Sequence, residues 1–430
     1  MASMVMVLFV SFAVVHAHGQ NPMSGAVMFE DVRYYAKLGD HQTATEVDYA
    51  TAGWLKKRLK QAGYSVQDQE WKTRQFYPKD TFIRIGKSEK IPAFPVWWPK
   101  PTTDAGLTAA LSSDIEHASG KIYFLVNTSG AGFSVDKKLI QQITTAAHNG
   151  AVAMIVVTYY NRPDTIASDE FIGLNAMQDT QEEWPIPVVT VMAKDAARFK
   201  AAVTDGLEVN VTSTGVYKQD ALGLNIIATL NRSAGGKSVL VTTPYSGWFT
   251  CAGERGTGIA IFLALAEWAA KSTAQTNWIF AATSGHELRG LGVEHYLQSD
   301  LIPPPSKVLL WTHIGAWQAM YNYVLKQGDL IRTEEMDQRI IQFTGEGLAG
   351  EVKTHFSEPS LKLRIVPRIL FGDLTQAVKS GHQNLIGISY GHEYHHSTQD
   401  LPAVTGPELL ESVANAYKNF LAAVINEPKK

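Results

Sequence analysis

Apolar residues in this chain fall into short unbroken runs set off by turn residues. Residues 120–126, 151–157, 186–191, 224–230, 238–243, 278–283, 308–313 and 386–389 are such runs. Runs this short and this apolar read as strands covered on both faces. Between them lie stretches of helical periodicity at 137–149, 257–271 and 407–424. Nearer the start, residues 45–63 place Ala50, Trp54, Leu55 and Leu59 on one helix face, with Gly63 as the stop. Alternation then opens a strand at residues 64–67. Strands alternating with helices predict an α/β fold with a doubly wound, mostly parallel sheet.

One stretch breaks the pattern. Residues 91–101 hold Pro92, Pro95, Trp97, Trp98 and Pro99. Proline there rules out a helix interior or a central strand, so the stretch reads as a crossing between domains. The expected division is 18–91 as the first part of the main domain, 92–218 as a smaller inserted α/β domain, and 219–430 as the rest of the main domain.

The chain has 430 residues, which predicts two or three domains. It is 45% hydrophobic and 18% charged, enough for a large core and against general disorder. A net charge of -3 without a long basic run gives no nucleic-acid signal. The lone Cys251 excludes an intrachain disulfide framework. Residues 4–15 are apolar and end at Val15-His16-Ala17, which predicts a signal peptide over 1–17. The run is short for a membrane span. Sequons at Asn127-Thr128-Ser129, Asn210-Val211-Thr212 and Asn231-Arg232-Ser233 agree with a secretory route. The expectation is a secreted protein (periplasmic in a bacterium), free of the membrane once cleaved. Oligomeric state is not legible.

The chemistry concentrates after the run at 277–283, in Ser284-Gly285-His286-Glu287-Leu288-Arg289-Gly290-Leu291-Gly292. A strand that ends in such a turn delivers its polar side chains to the carboxyl edge of the sheet, where open α/β sheets bind ligands. Further segments carry polar groups at strand ends: Thr243-Pro244-Tyr245-Ser246, Cys251-Ala252-Gly253-Glu254-Arg255-Gly256, Trp311-Thr312-His313-Ile314-Gly315, Gly372-Asp373-Leu374, and 390–400 with His392, His395, His396 and Asp400.

These segments together resemble the secreted zinc aminopeptidases, a group that includes carboxypeptidase Q-like enzymes, bacterial leucyl aminopeptidases and glutamate carboxypeptidases. The order of elements in 92–218 is similar to the protease-associated domain often inserted in them. The resemblance covers nearly the whole chain after the leader. It implies a pair of zinc ions roughly 3.5–4 Å apart. By position, Glu254 corresponds to the bridging carboxylate, and Glu287 and His396 to the private ligands of one ion. His286 stands where the family has its general-base glutamate. Thr243 and Thr312 stand where the other ion would have its histidine and aspartate, although a one-residue slip brings in His313. One ligand set is therefore complete and the other is lost, which implies a single zinc held by Glu254, Glu287 and His396. Three protein ligands and an open position suit a catalytic zinc. His286 would move the proton, since a histidine titrates near neutrality. Tyr245, Trp248, His313, Trp317 and Tyr394 are the expected substrate-binding residues. The resemblance implies a peptide, amide or related carbonyl substrate.

Each assignment has a plainer reading. Glu254 pairs with Arg255 without any metal. Glu287 caps a helix or serves as a salt-bridge partner. His396 is held by Asp400 as a structural residue or as a ligand. His286 is a base, a ligand or a polar filler, and Cys251 is a buried thiol rather than a nucleophile. Adjacent His395 and His396 point differently, so only one of them is expected to face a metal. The alternative for the whole protein is a metal-free pseudo-peptidase that binds a ligand or a partner protein.

Overall fold

The computed structural model describes residues 21–127, 135–158, 173–174, 181–326 and 329–426. The leader expected over 1–17 lies outside these, as do Thr128 and Ser129 of the first sequon. No helix of the described residues is long and apolar enough to cross a membrane.

Four parallel strands form the centre of the main sheet. In spatial order they are Leu385–Ser389, Val308–Ile314, Ser238–Pro244 and Asn277–Thr283. Every residue of Asn277–Thr283 is buried, as a parallel strand with helices on both faces requires. Its side chains alternate between two cores. Trp278, Phe280 and Ala282 join the core formed with helices Gly25–Leu38, Glu46–Gln61, Thr257–Lys271 and Pro407–Asn426. Ile279 and Ala281 join the opposite core with Val293, Tyr296, Leu374 and Ala377. Antiparallel strands border the four: Arg339–Thr344 beside Leu385–Ser389, and Glu208–Leu230 beside Asn277–Thr283. The sheet is thus mixed and mostly parallel at its centre.

A second set of strands runs parallel from Leu107–Ser112 through Ile122–Asn127 and Ala153–Thr158 to Val188–Val191. Helices Lys137–His148 and Ala196–Thr204 cover its two faces and complete two smaller cores. The two sets are joined by a long ribbon in which Ser65–Ile85 pairs antiparallel with Glu208–Leu230, with irregularities at Thr73/Gln75 and Pro78/Asp80. Glu208–Leu230 therefore passes through residue 218 without a break. Only its final residues were apolar enough to read as a strand. The middle is open to solvent, with Val216 67% exposed, so no alternation marks it.

Pro244, Thr283, Ile314 and Ser389 end the four parallel strands at one edge. The loops that follow carry Ser246 and Glu254, His286 and Glu287, Trp317, and His392 to His396. The topology thus gathers four segments distant in sequence at one site.

Candidate active site

Glu254 sits in a wide helical turn, Ala252–Gly256, that opens helix Thr257–Lys271. The first amides of a helix have no partner within it. Here the Asp400 carboxylate accepts from the Gly253 and Glu254 N–H groups at 2.7 and 2.9 Å. That clamp ties the helix start to the loop bearing the histidines. His396 has φ 55°, a left-handed conformation that turns the chain between His395 and His396. Both rings then approach Glu254: Nε2 of His396 is 3.2 Å, and Nε2 of His395 3.4 Å, from Glu254 Oε1. Two adjacent side chains thus reach one carboxylate oxygen.

The same Oε1 lies 3.0 Å from a guanidinium nitrogen of Arg255. That nitrogen also donates to Glu287 Oε1 at 2.9 Å. Glu287 Oε2 accepts from the Ser246 hydroxyl at 2.9 Å, and Arg255 Nε donates to the Ser246 carbonyl at 2.9 Å. All three charged groups are at most 3% exposed. Burial alone would raise the Glu254 pKa; Arg255, then His396 and His395, pull it well below the usual carboxylate range. Burial and then His396 drive the His395 pKa well down, so its ring is neutral.

Across from this cluster, His286 Nδ1 and Asp373 Oδ1 are 2.9 Å apart. Burial acts to lower the His286 pKa, but the Asp373 carboxylate outweighs it and the net shift is upward. Burial would raise the Asp373 carboxyl, and His286 holds it far below the ordinary range instead. His313 lies 4.0 Å from the other Asp373 oxygen and contacts the Thr242 hydroxyl at 2.9 Å. Burial lowers its pKa to about 4, so it is neutral at pH 7. Glu254, His286, His313 and His395 all line one cavity of about 770 Å³.

The expected site residues differ in whether they reach the cavity. His286, His313 and Glu254 line it, whereas Glu287 and His396, both buried, are not among the lining residues. Tyr245 is fully buried and donates to the Leu224 carbonyl, which places it in the core. Trp248 packs in an aromatic cluster with Trp97 and Phe94. Trp317 is also fully buried, stacks on His392, and donates its indole N–H to His395 Nδ1 at 3.1 Å. Tyr394 packs on Tyr323. None of these four expected substrate-binding rings is among the residues that line the cavity. Asp373, Ser246 and the pairing of Arg255 with Glu287 had no assigned role from the sequence. Asp373 stood in a recognisable segment, but nothing in the sequence paired it with His286.

Two ion positions beside Glu254 differ in fit. The Glu254–Glu287 position already holds the Arg255 guanidinium, a permanent cation, so Glu254, Glu287 and His396 do not converge on an ion. Glu254, His395 and His396 do bring three ligand atoms within 4.8 Å of one another. Tetrahedral zinc with bonds of about 2.0–2.1 Å separates its ligand atoms by about 3.3–3.4 Å, close to the observed 3.2 and 3.4 Å. One obstacle stands there. The Trp317 N–H bond to His395 Nδ1 leaves the ring proton on Nε2. Ligation through Nε2 requires the other tautomer and the loss of that bond, about 1 kcal/mol. Zinc at protein sites contributes on the order of 10 kcal/mol, so the switch is affordable and the set fits one ion.

Behind the site, Asp48 anchors the turn. Its carboxyl accepts from the Ala44 N–H at 2.8 Å and from the Ser284 hydroxyl at 2.9 Å. Burial pushes its pKa up to about 8, against an ordinary value of about 3.9. A folded-state pKa raised in this way favours the folded protein at low pH. That contribution is lost as pH climbs from about 4 through about 8. Asp48→Asn keeps an acceptor and cannot ionise. It is expected to flatten this part of the pH–stability curve and to raise Tm at pH 9 relative to the parent. Parallel curves for the two proteins between pH 5 and 9 would refute the assignment.

No family model matches the chain, and no curated protein does. Solved structures do. A zinc aminopeptidase from Bacillus subtilis superposes with a TM-score of 0.73 at 15% identity, covering 94% of this chain and 96% of that one. A peptidase M28 precursor from Shewanella amazonensis gives 0.71 at 16% identity, covering 96% of each chain. An aminopeptidase from Aneurinibacillus sp. strain AM-1 gives 0.64 at 14% identity, covering 95% and 97%. Over almost its entire length, therefore, the chain has the fold of these peptidases.

Proposed function

We propose that the protein is a hydrolase of peptide or related amide bonds that uses one zinc ion. The observation that carries this reading is the cavity whose walls bring the His286–Asp373 pair opposite Glu254 and His395. The fold shared with zinc aminopeptidases supports it. Glu254, His395 and His396 would hold the ion, which supplies polarisation of the substrate carbonyl. Glu287, first expected among the ligands, is the counter-charge of Arg255. His286 is the base. Its Nδ1–H is held by Asp373, so Nε2 is the atom that takes a proton from water and returns it to the leaving amine. His313, neutral and on the same wall, offers a hydrogen bond to the substrate. In this reading residues 1–17 direct secretion. Residues 92–218 form a protease-associated domain inserted between 18–91 and 219–430, beside the substrate cleft.

The test is metal content of the purified protein together with hydrolysis of aminoacyl nitroanilides and short peptides. One zinc equivalent and hydrolysis that stops on chelation and returns with zinc are expected. A protein without metal that binds peptides and cleaves none would leave the metal-free binding role instead.

A further inference from the structure

We propose that Arg255 is a built-in cation occupying what is otherwise a divalent-ion position between Glu254 and Glu287. The inference rests on the preceding reading only for the ion at Glu254, His395 and His396. A single guanidinium nitrogen contacts one oxygen of each carboxylate, at 3.0 and 2.9 Å. A cation shared by two acceptors is the arrangement a bridging metal ion gives. The position is enclosed, since Arg255, Glu254 and Glu287 are 0%, 1% and 3% exposed. The second Glu287 oxygen is held by Ser246 and the Arg255 Nε by the Ser246 carbonyl, so both partners are fixed before any ligand arrives. Buried carboxylates this close need a positive charge between them. Arginine provides one that neither dissociates nor deprotonates. It also repels any divalent cation from that spot. The site is thereby limited to the ion on the histidine side of Glu254.

Removing the guanidinium should reverse this. Arg255→Ala leaves two facing carboxylates and the volume of a long side chain, and is expected to bind one more zinc equivalent than the parent. Arg255→Lys keeps the charge and should bind the parental number. The double variant Arg255→Ala/Glu287→Gln should also return to it. Metal is counted by atomic emission after equilibrium dialysis of the full chain against zinc. An Arg255→Ala protein with the parental count overturns the proposal, as does an extra ion that persists in the double variant. If Arg255→Ala does not fold, Glu287→Gln alone decides: an unchanged count supports the proposal, and loss of an equivalent makes Glu287 a ligand and overturns it. A metal-free parent would count against the preceding reading, while the difference between parent and Arg255→Ala still decides this one.

Discussion

Glu254→Ala is expected to lose the bound zinc equivalent and to reduce hydrolysis by about 10^3-fold or more. Several kcal/mol of charge stabilisation at a polarised carbonyl is the usual contribution of a metal ion, and each 1.36 kcal/mol is tenfold in rate. Glu254 touches several groups of the cluster at once. One oxygen of Glu254 lies within 3.4 Å of His395, His396 and Arg255, and the other is 3.5 Å from the Cys251 thiol. Stability should fall as well. Removing one partner of a buried ion pair costs roughly 3–5 kcal/mol, and the lower end applies because Glu287 still faces Arg255. Urea denaturation and metal analysis of the same preparation separate the two effects. Full metal content in a folded Glu254→Ala protein would rule out the proposed ion site.

His286→Ala is expected to lower kcat by roughly 10^2–10^4-fold with metal content unchanged, the range for loss of a general base. Asp373→Asn tests the pair more sharply. The amide is nearly isosteric but no longer holds the Nδ1–H tautomer of His286, so on the order of 10^2-fold or more in kcat should go, with KM little altered. A purely structural Asp373 would instead lower Tm and leave kcat of the folded fraction intact. His313 offers an internal comparison. It lies 4.0 Å from the same carboxylate and is neutral at pH 7, so His313→Gln should act mainly on KM.

Local sequence chemistry anticipated most of the strands at the sheet centre. Runs such as 278–283 contain no polar residue that solvent must reach, and they appear as strands buried on both faces. The ribbon of Ser65–Ile85 with Glu208–Leu230 was legible only at its ends. Its stability comes from backbone pairing over a long register, which side-chain polarity does not record. The turn 284–292 was recognisable because its backbone needs particular residues at fixed spacing. Gly285 has φ 82°, and a Cβ on Gly292 would stand 1.9 Å from the Ser284 carbonyl oxygen, so both positions demand glycine.

The sequence by itself determined that the chain builds an α/β sheet whose strand ends deliver Glu254, His286, Glu287 and His396 to one edge. Burial patterns and turn chemistry are local, and neighbouring residues encode them. Which of those groups touch was decided by the tertiary structure. Arg255 follows Glu254 directly, yet it also reaches Glu287, 32 residues away, because the loops after two adjacent parallel strands converge. His395 joins His396 at Glu254 through one left-handed residue and a carboxylate clamp from Asp400. Asp373 meets His286 across the sheet edge from a segment 87 residues later. Distances between charges at about 3 Å decide ionisation and metal affinity, and only the packed chain fixes those distances.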